Sequence, residues 1–75
     1  MDANETRLNE LYRTPSRRWA LNGHELTCGS TIEVNIQGHW IRIVIEHDGK
    51  DYFALPSTVR LHAGLYARFL GEYTD

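Results

Sequence analysis

The sequence predicts a mainly β fold, a small five-stranded antiparallel barrel that follows a short N-terminal helix. A hydrophobic period of two residues begins near Arg17, and dipeptides typical of tight turns separate the periodic stretches. The length of 75 residues allows one domain, and a flat sheet of that size would leave its edges and one face unprotected. An SH3-like barrel is therefore the economical architecture, with an OB-like barrel as the second choice.

The N-terminal segment, residues 1–14, has the pattern of a short amphipathic helix. It opens with a capping-box pattern, and Leu8, Leu11 and Tyr12 recur at the spacing of one helical face. Pro15 disfavours helical geometry at Thr14, so we expect the helix to end near Arg13. A frayed tail is the alternative, because a helix this short persists only when it docks on something.

The barrel domain, residues 15–75, is predicted from alternating stretches joined by turns. A first strand leads into a three-stranded antiparallel meander over residues 31–55. The turn signals stand at Asn22-Gly23, Gln37-Gly38 and Asp48-Gly49. The alternation predicts an inward-facing set of Trp19, Leu21, Leu26, Ile32, Val34, Ile36, Ile41, Ile43, Ile45, Phe53, Leu55, Leu65, Ala67 and Phe69.

The last third of the chain fits either a helix or a strand. Apolar residues recur at helical spacing there, but Gly64 interrupts the pattern, and Leu65, Ala67 and Phe69 also alternate. We predict a turn around residues 57–60 and a closing strand from Leu65 to Leu70.

Composition and charge exclude several classes of function. The net charge of −2 argues against a protein that binds nucleic acid by positive charge alone. No apolar run is long enough to span a bilayer, and the polar, acidic N-terminus is not a secretory signal. A single cysteine cannot form an internal disulfide, which suits a reducing compartment. These features predict a cytoplasmic protein without a membrane segment.

The residues that could carry chemistry do not form a recognisable catalytic or metal motif. His24 and Cys28 are one loose pair, whereas structural zinc sites have paired close spacings of cysteine and histidine. A catalytic thiol needs an electropositive, partly open environment, and a lone cysteine in a β-rich chain is usually a small apolar side chain. We therefore expect no enzyme activity, no metal site and no cofactor.

A binding surface is the better prospect. If Ile41, Ile43 and Ile45 face inward, Trp40 and Arg42 face outward on the same strand. Exposed tryptophan, tyrosine and arginine side chains are typical of protein interfaces, and the same groups could stack on the bases of single-stranded nucleic acid. Alternatively, the tryptophan closes the open end of the barrel. The predicted binding residues are Trp40, Arg42, Tyr52, Tyr66 and Arg68.

A spaced pattern of glycine, aromatic, apolar and charged residues runs through most of the chain. Its members are Leu26, Cys28, Gly29, Glu33, Val34, Gly38, Trp40, Glu46, Phe53, Leu55, Leu61, Gly64, Leu65 and Arg68. With these residues the chain resembles a family of short bacterial and phage proteins known only as a domain of unknown function. The shared pattern covers about residues 17–69, and the chain departs from it at Val44, where the family tends to have arginine. The resemblance implies an SH3-like barrel without catalytic activity, often carried by mobile elements, a setting rich in inhibitors of host defence such as anti-CRISPR proteins.

The leading functional prediction is a non-catalytic protein-binding module. Its most concrete form is a mobile-element inhibitor of a bacterial defence complex, of the anti-CRISPR type, which acts by covering a surface. The expected partner is a larger protein or ribonucleoprotein complex. A small nucleic-acid-binding barrel is the alternative, although the net charge disfavours it, and a homodimer without a separate ligand is a third option.

Overall fold

The computed structural model describes residues 8–70, and this part of the chain is built from β-strands without a helix. The prediction of a mainly β protein is therefore confirmed. All neighbouring strands are antiparallel, in a three-stranded sheet of order β1-β2-β3 and a four-stranded sheet of order β6-β5-β4-β7. The strands are β1 (Tyr12–Arg13), β2 (Trp19–Leu21), β3 (His24–Glu25), β4 (Thr31–Ile36), β5 (His39–His47), β6 (Tyr52–Leu55) and β7 (Ala67–Phe69).

The prediction of a closed five-stranded barrel is wrong for the described residues, because the two sheets keep separate ladders. Closure would require β6 to pair with the small sheet. Instead, residues of β6 and of the small sheet, among them Tyr52 and Trp19, line a cavity of about 260 Å³. The strands of the small sheet have only two or three residues each, so they offer few backbone groups for hydrogen bonds to β6.

The predicted N-terminal helix is also wrong where the structure describes it, and its first seven residues lie outside the described part. Glu10 bridges Tyr66, and the next residues enter β1 in extended geometry. The N–H of Leu11 donates to the carbonyl of Leu65 at 2.9 Å, and the Leu11 carbonyl accepts from Gly64 N–H at 2.8 Å. The backbone hydrogen bonds to Gly64 and Leu65 and the burial of Leu11 stabilise the extended conformation. Together they outweigh the weak helical preference of this short segment.

Two-residue turns form at two of the three predicted positions, whereas the connection at Asp48-Gly49 has four residues, 48–51. Asn22-Gly23 connects β2 to β3, and Gln37-Gly38 connects β4 to β5, each with positive φ at both residues. That geometry matches the right-handed twist of antiparallel hairpins. The turn predicted near residues 57–60 is confirmed as well, with a 3.1 Å bond from Val59 N–H to the carbonyl of Pro56. The closing strand is β7, preceded by the bridge at Tyr66.

One hydrophobic core lies between the two sheets. Most of the predicted inward set is buried, and Ile36, Ile41 and Phe69 pack against the core while partly exposed. The core also contains residues that the alternation did not indicate. These additions are Leu11, Ala54 and Val59, and Ala20 is buried as well.

The predicted inward facing of Phe53 and Leu55 is wrong. Ile45 lies opposite Ala54, so it is Ala54 that shares the core side of the sheet, whereas Phe53 lies opposite Glu46 on the other side. Leu55 is 45% exposed. Pairing with the neighbouring strand decides which side chains of a strand face the core. In β6 this pairing turns the apolar side chains of Phe53 and Leu55 away from the core.

Within residues 8–70, no helix is long and apolar enough to cross a bilayer.

Candidate functional site

The outer face of the four-stranded sheet carries most of the side chains predicted to bind. Side chains alternate along a strand, so the burial of Ile43 and Ile45 in the core sends Trp40 and Arg42 to the opposite side of the sheet. The register places Asn35 opposite Trp40. We call this side the outer face; its members are Glu33, Asn35, Trp40, Arg42, Val44, Glu46, Phe53, Leu55, Tyr66 and Arg68.

Three strands bring together the Trp40 cluster, which consists of Glu33, Trp40, Tyr66 and Arg68. The Arg68 guanidinium carbon lies 3.9 Å from the centre of the Trp40 ring, a cation–π contact. Arg68 Nε donates to Glu33 Oε1 at 2.8 Å, and these two residues are direct partners across β4 and β7. The Tyr66 ring lies 5.8 Å from the Trp40 ring at an interplanar angle of 33°. The carboxylate thus fixes the guanidinium, and the guanidinium fixes the indole.

The cluster remains accessible although it is held in place. Tyr66 is 49% exposed, and Trp40 is partly exposed. The side chains start from paired strands, and one turn (Gln37-Gly38) sets the register of two of those strands. A surface of this kind loses little side-chain entropy when a partner binds, because its rotamers are already restricted.

Arg42 stands next to the cluster as an exposed cation. It lies opposite Glu33, but within residues 8–70 the Glu33 carboxylate pairs with Arg68, and no carboxylate lies within 4.0 Å of the Arg42 guanidinium. Arg42 can therefore offer its donors to an external acceptor without first breaking an ion pair in this part of the chain.

Tyr52, the fifth predicted binding residue, lies away from the other four. It packs against the core on the inner side of the sheet, and its ring meets the His47 ring edge-on at 4.5 Å. It also lines the cavity beside Trp19 and Arg13. The structure thus brings four of the five residues to one face.

Sequence reasoning missed Glu33 and the apolar part of the outer face. The Gln37-Gly38 turn alone implies that Glu33 lies opposite Arg42, so a register count could have found it. Its pairing with Arg68 depends on a contact 35 residues apart, which no local signal reveals. Leu55 lies opposite Val44 and adds an apolar strip to the outer face.

The surroundings of Cys28 do not activate its thiol as a nucleophile. Its Sγ donates to Glu46 Oε1 at 3.2 Å, and this hydrogen bond to a carboxylate raises the pKa of the thiol above its usual value. A raised pKa keeps the sulfur protonated, the opposite of what a nucleophile needs. His24, its suggested partner, instead meets the Phe69 ring edge-on at 5.8 Å.

Metal ligands are not clustered in the described part of the chain. No group of three or more histidine, cysteine, aspartate or glutamate side chains between positions 8 and 70 is arranged to hold a metal ion.

Comparison with known proteins gives a family but no individual relative. Neither the curated proteins nor the solved structures include a match to this chain. One family matches residues 10–69, a range that includes every strand and the whole of the Trp40 cluster. The chain belongs to the family described as a domain of unknown function, DUF5348.

Proposed function

We propose that this protein is a non-catalytic binding module that docks the outer face of its four-stranded sheet onto a larger protein. The observation that carries the proposal is the Trp40 cluster, in which Glu33 holds Arg68 over the Trp40 ring. Tryptophan, tyrosine and arginine account for a large share of the binding energy at protein interfaces, above all when they are rigid before binding.

The charge of the outer face favours a protein partner over nucleic acid. Two arginines, Arg42 and Arg68, are balanced there by two glutamates, Glu33 and Glu46. A surface that follows a phosphate backbone would carry an excess of positive charge. Mixed charge around aromatic anchors is instead the composition of a protein interface.

The apolar strip extends the proposed contact beyond the cluster. Val44 and Leu55 lie opposite each other, and Phe53 follows on the same side of β6. Exposed apolar area next to aromatic and arginine side chains gives a partner a surface to desolvate.

Inhibition of a bacterial defence complex, as by an anti-CRISPR protein, is the most concrete form of this proposal. It is supported by the resemblance to proteins carried on mobile elements. Such an inhibitor needs a stable scaffold and one rigid surface that covers a site on its target, and it needs no chemistry of its own.

The test starts with a tagged protein that captures its partner from host extract, after which the affinity is measured with the purified partner. Tyr66→Ala and Arg42→Ala should each weaken binding about 30-fold or more, the usual loss at a central anchor. Arg18→Ala is the matched control, since Arg18 lies before β2 in the small sheet and pairs with Glu25. Circular dichroism and thermal unfolding check that all variants remain folded.

Two outcomes would contradict the proposal. If both variants keep wild-type affinity while the control behaves the same, the outer face is not the interface. If single-stranded DNA binds and its affinity falls steeply between 50 and about 200 mM salt, the protein is a nucleic-acid-binding module instead.

A further inference from the structure

The outer face carries a strip of side chains along β5 that is complementary to itself. Arg42, Val44 and Glu46 follow one another on this side of the strand. The two charged residues are four positions apart, about 13 Å in a β-strand, and Val44 lies midway between them. The strip therefore has a positive end, an apolar centre and a negative end.

Both charges are available to another molecule. Arg42 is exposed and Glu46 is partly exposed, and neither forms an ion pair with any of residues 8–70. Glu46 Oε1 accepts from the Cys28 thiol, a weak and neutral donor that does not cancel the charge of the carboxylate. Each end of the strip can therefore pair with an opposite charge on a second surface.

Apolar side chains lie beside the centre of the strip. Leu55 lies directly opposite Val44, and Phe53 lies opposite Glu46. Leu55 is 45% exposed, and it is one of three large apolar side chains between positions 8 and 70 that are exposed. Apolar surface of this kind gains free energy when a second surface removes it from water.

A single two-fold rotation brings opposite charges together at both ends of the strip. The axis lies midway between two stacked sheets, passes over Val44 and runs across the strands, so β5 of the second copy is reversed. Arg42 of each copy then lies over Glu46 of the other, while Val44 and Leu55 each lie over their own counterparts. Stacked sheets are about 10 Å apart, a gap that arginine and glutamate side chains bridge from opposite sides.

We propose that the outer face closes on a second copy of this chain and forms a symmetric dimer held by two ion pairs between Arg42 and Glu46. The order of charges along the strip identifies the occupant, because one rotation of the same surface supplies both opposite charges and an apolar centre. The inference rests on the proposed function in one respect, since the dimer covers the face that docks onto the larger protein. The dimer must therefore dissociate before that partner binds, and dimerisation regulates docking.

The first test is sedimentation of the purified chain from micromolar to millimolar concentration. The wild-type chain should change from monomer to dimer as its concentration rises. Arg42→Glu and Glu46→Arg each place like charges at both contacts, so each should weaken dimerisation about 30-fold or more. Arg60→Glu is the matched control, because it makes the same change of charge at an exposed residue beside the cavity, outside the outer face.

Exchange of the charges gives the most specific result. In an equimolar mixture of Arg42→Glu and Glu46→Arg, a dimer of one copy of each joins glutamate to arginine at both contacts. The mixture should therefore dimerise about as tightly as the wild-type chain, although neither variant does so alone. The double variant, with both charges exchanged in one chain, should recover dimerisation for the same reason.

Three results would overturn the proposal. One is a chain that stays monomeric at millimolar concentration, and another is a dimer that both single variants form as tightly as wild type. The third is a mixture that dimerises no better than its two components. Circular dichroism checks that the variants are folded, and if a charge reversal unfolds the chain, Arg42→Gln should still weaken dimerisation about tenfold through loss of the ion pair.

The dimer and the docking proposal can fail separately. A monomeric chain whose affinity for the purified partner falls in Tyr66→Ala overturns the dimer and leaves docking in place. A dimer that follows the charge exchange, but that binds the partner without dissociating, overturns docking through the outer face and leaves the dimer in place. Release of monomers as the partner is added supports both.

Discussion

At the residue scale, a single neighbour decides the chemistry of Cys28. Its thiol is exposed, a position where cysteine is often reactive, yet it donates a hydrogen bond to the Glu46 carboxylate. Ionisation would remove that donor and place a second negative charge beside the first, so the pKa of the thiol is raised. Both residues belong to the pattern on which the family resemblance was based, and the structure places them in contact.

Replacement of Glu46 should make Cys28 more reactive. In Glu46→Gln, the pKa of the thiol should fall towards its ordinary value, so the pH midpoint of alkylation by iodoacetamide moves to lower pH. The alkylation rate as a function of pH measures this directly. Glu33→Gln is a control on the same face, and an equal shift in both variants would contradict a specific role of Glu46.

At the element scale, the segment before β1 shows how a contact distant in sequence overrides a local pattern. Leu8 and Leu11 have the spacing of one helical face, but the structure treats them differently, since Leu8 is 77% exposed and Leu11 is 1% exposed. The backbone of Leu11 exchanges bonds with Gly64 and Leu65. No pattern within the first 14 residues could reveal partners more than 50 positions away.

The two leucines make a matched pair for mutation. Leu11→Ala should lower the free energy of unfolding by about 2–5 kcal/mol, because it opens a cavity in the core. Leu8→Ala should change it by less than about 0.5 kcal/mol. Urea unfolding measures both values, and similar effects of the two changes would contradict the extended conformation of this segment.

The hairpin between β4 and β5 offers a second pair of changes. Gln37 has a φ of 52° and Gly38 a φ of 87°, both in the left-handed region. Gly38→Ala should lower the stability by roughly 1–2 kcal/mol, because a Cβ is unfavourable there. Gln37→Asn should raise it by about 0.5 kcal/mol, since asparagine adopts this conformation more readily. Thermal unfolding would detect both, and destabilisation by Gln37→Asn would be the contrary result.

At the scale of the whole molecule, acid should weaken the fold through the loop between β5 and β6. Asp48 Oδ1 accepts from the backbone N–H groups of Asp51 and Lys50, which lower its pKa, and the backbone N–H of Tyr52 lowers that of Asp51. A carboxyl group with a depressed pKa in the folded state stabilises the fold at pH values above its unfolded pKa. That contribution is lost as the pH falls through the lower, folded value.

Measurements of unfolding as a function of pH test the contribution of Asp48 to stability. The stability difference between wild type and Asp48→Asn should be constant at neutral pH and should shrink below about pH 4, where the carboxyl group becomes protonated. Glu25→Gln, on the small sheet, is the control for carboxyl groups without such backbone bonds. A difference that grows on acidification would contradict the assignment.

The extent to which this fold was predictable depends on whether a contact is local. The facing of β4 and β5 was predicted because a two-residue turn determines the register. The phase of β6 was wrong because it was read from the apolar Phe53 and Leu55. A connection with an even number of residues, whether two or the observed four, places Tyr52 and Ala54 on the side of Ile45. The register was therefore a better guide than hydrophobicity.

The outer face was predictable to the same extent. Trp40 and Arg42 follow from the alternation along one strand, and Tyr66 and Arg68 follow from the predicted closing strand. The contact among them requires β7 to pair with β4, which is a tertiary event without a local signal. The cavity beside Trp19 lies between β6 and the small sheet, where the predicted barrel would be closed. A prediction that assumed a closed barrel therefore could not include this cavity.

The bonds between Leu11 and residues 64–65 have a consequence for biosynthesis. The hairpins of the meander join neighbours in sequence and can form as soon as they leave the ribosome. The Leu11 side chain, however, cannot reach its place until the last strand has been synthesised. A nascent chain arrested before residue 64 should therefore remain sensitive to protease, and translation must reach the end of the domain before the molecule becomes a cooperative unit.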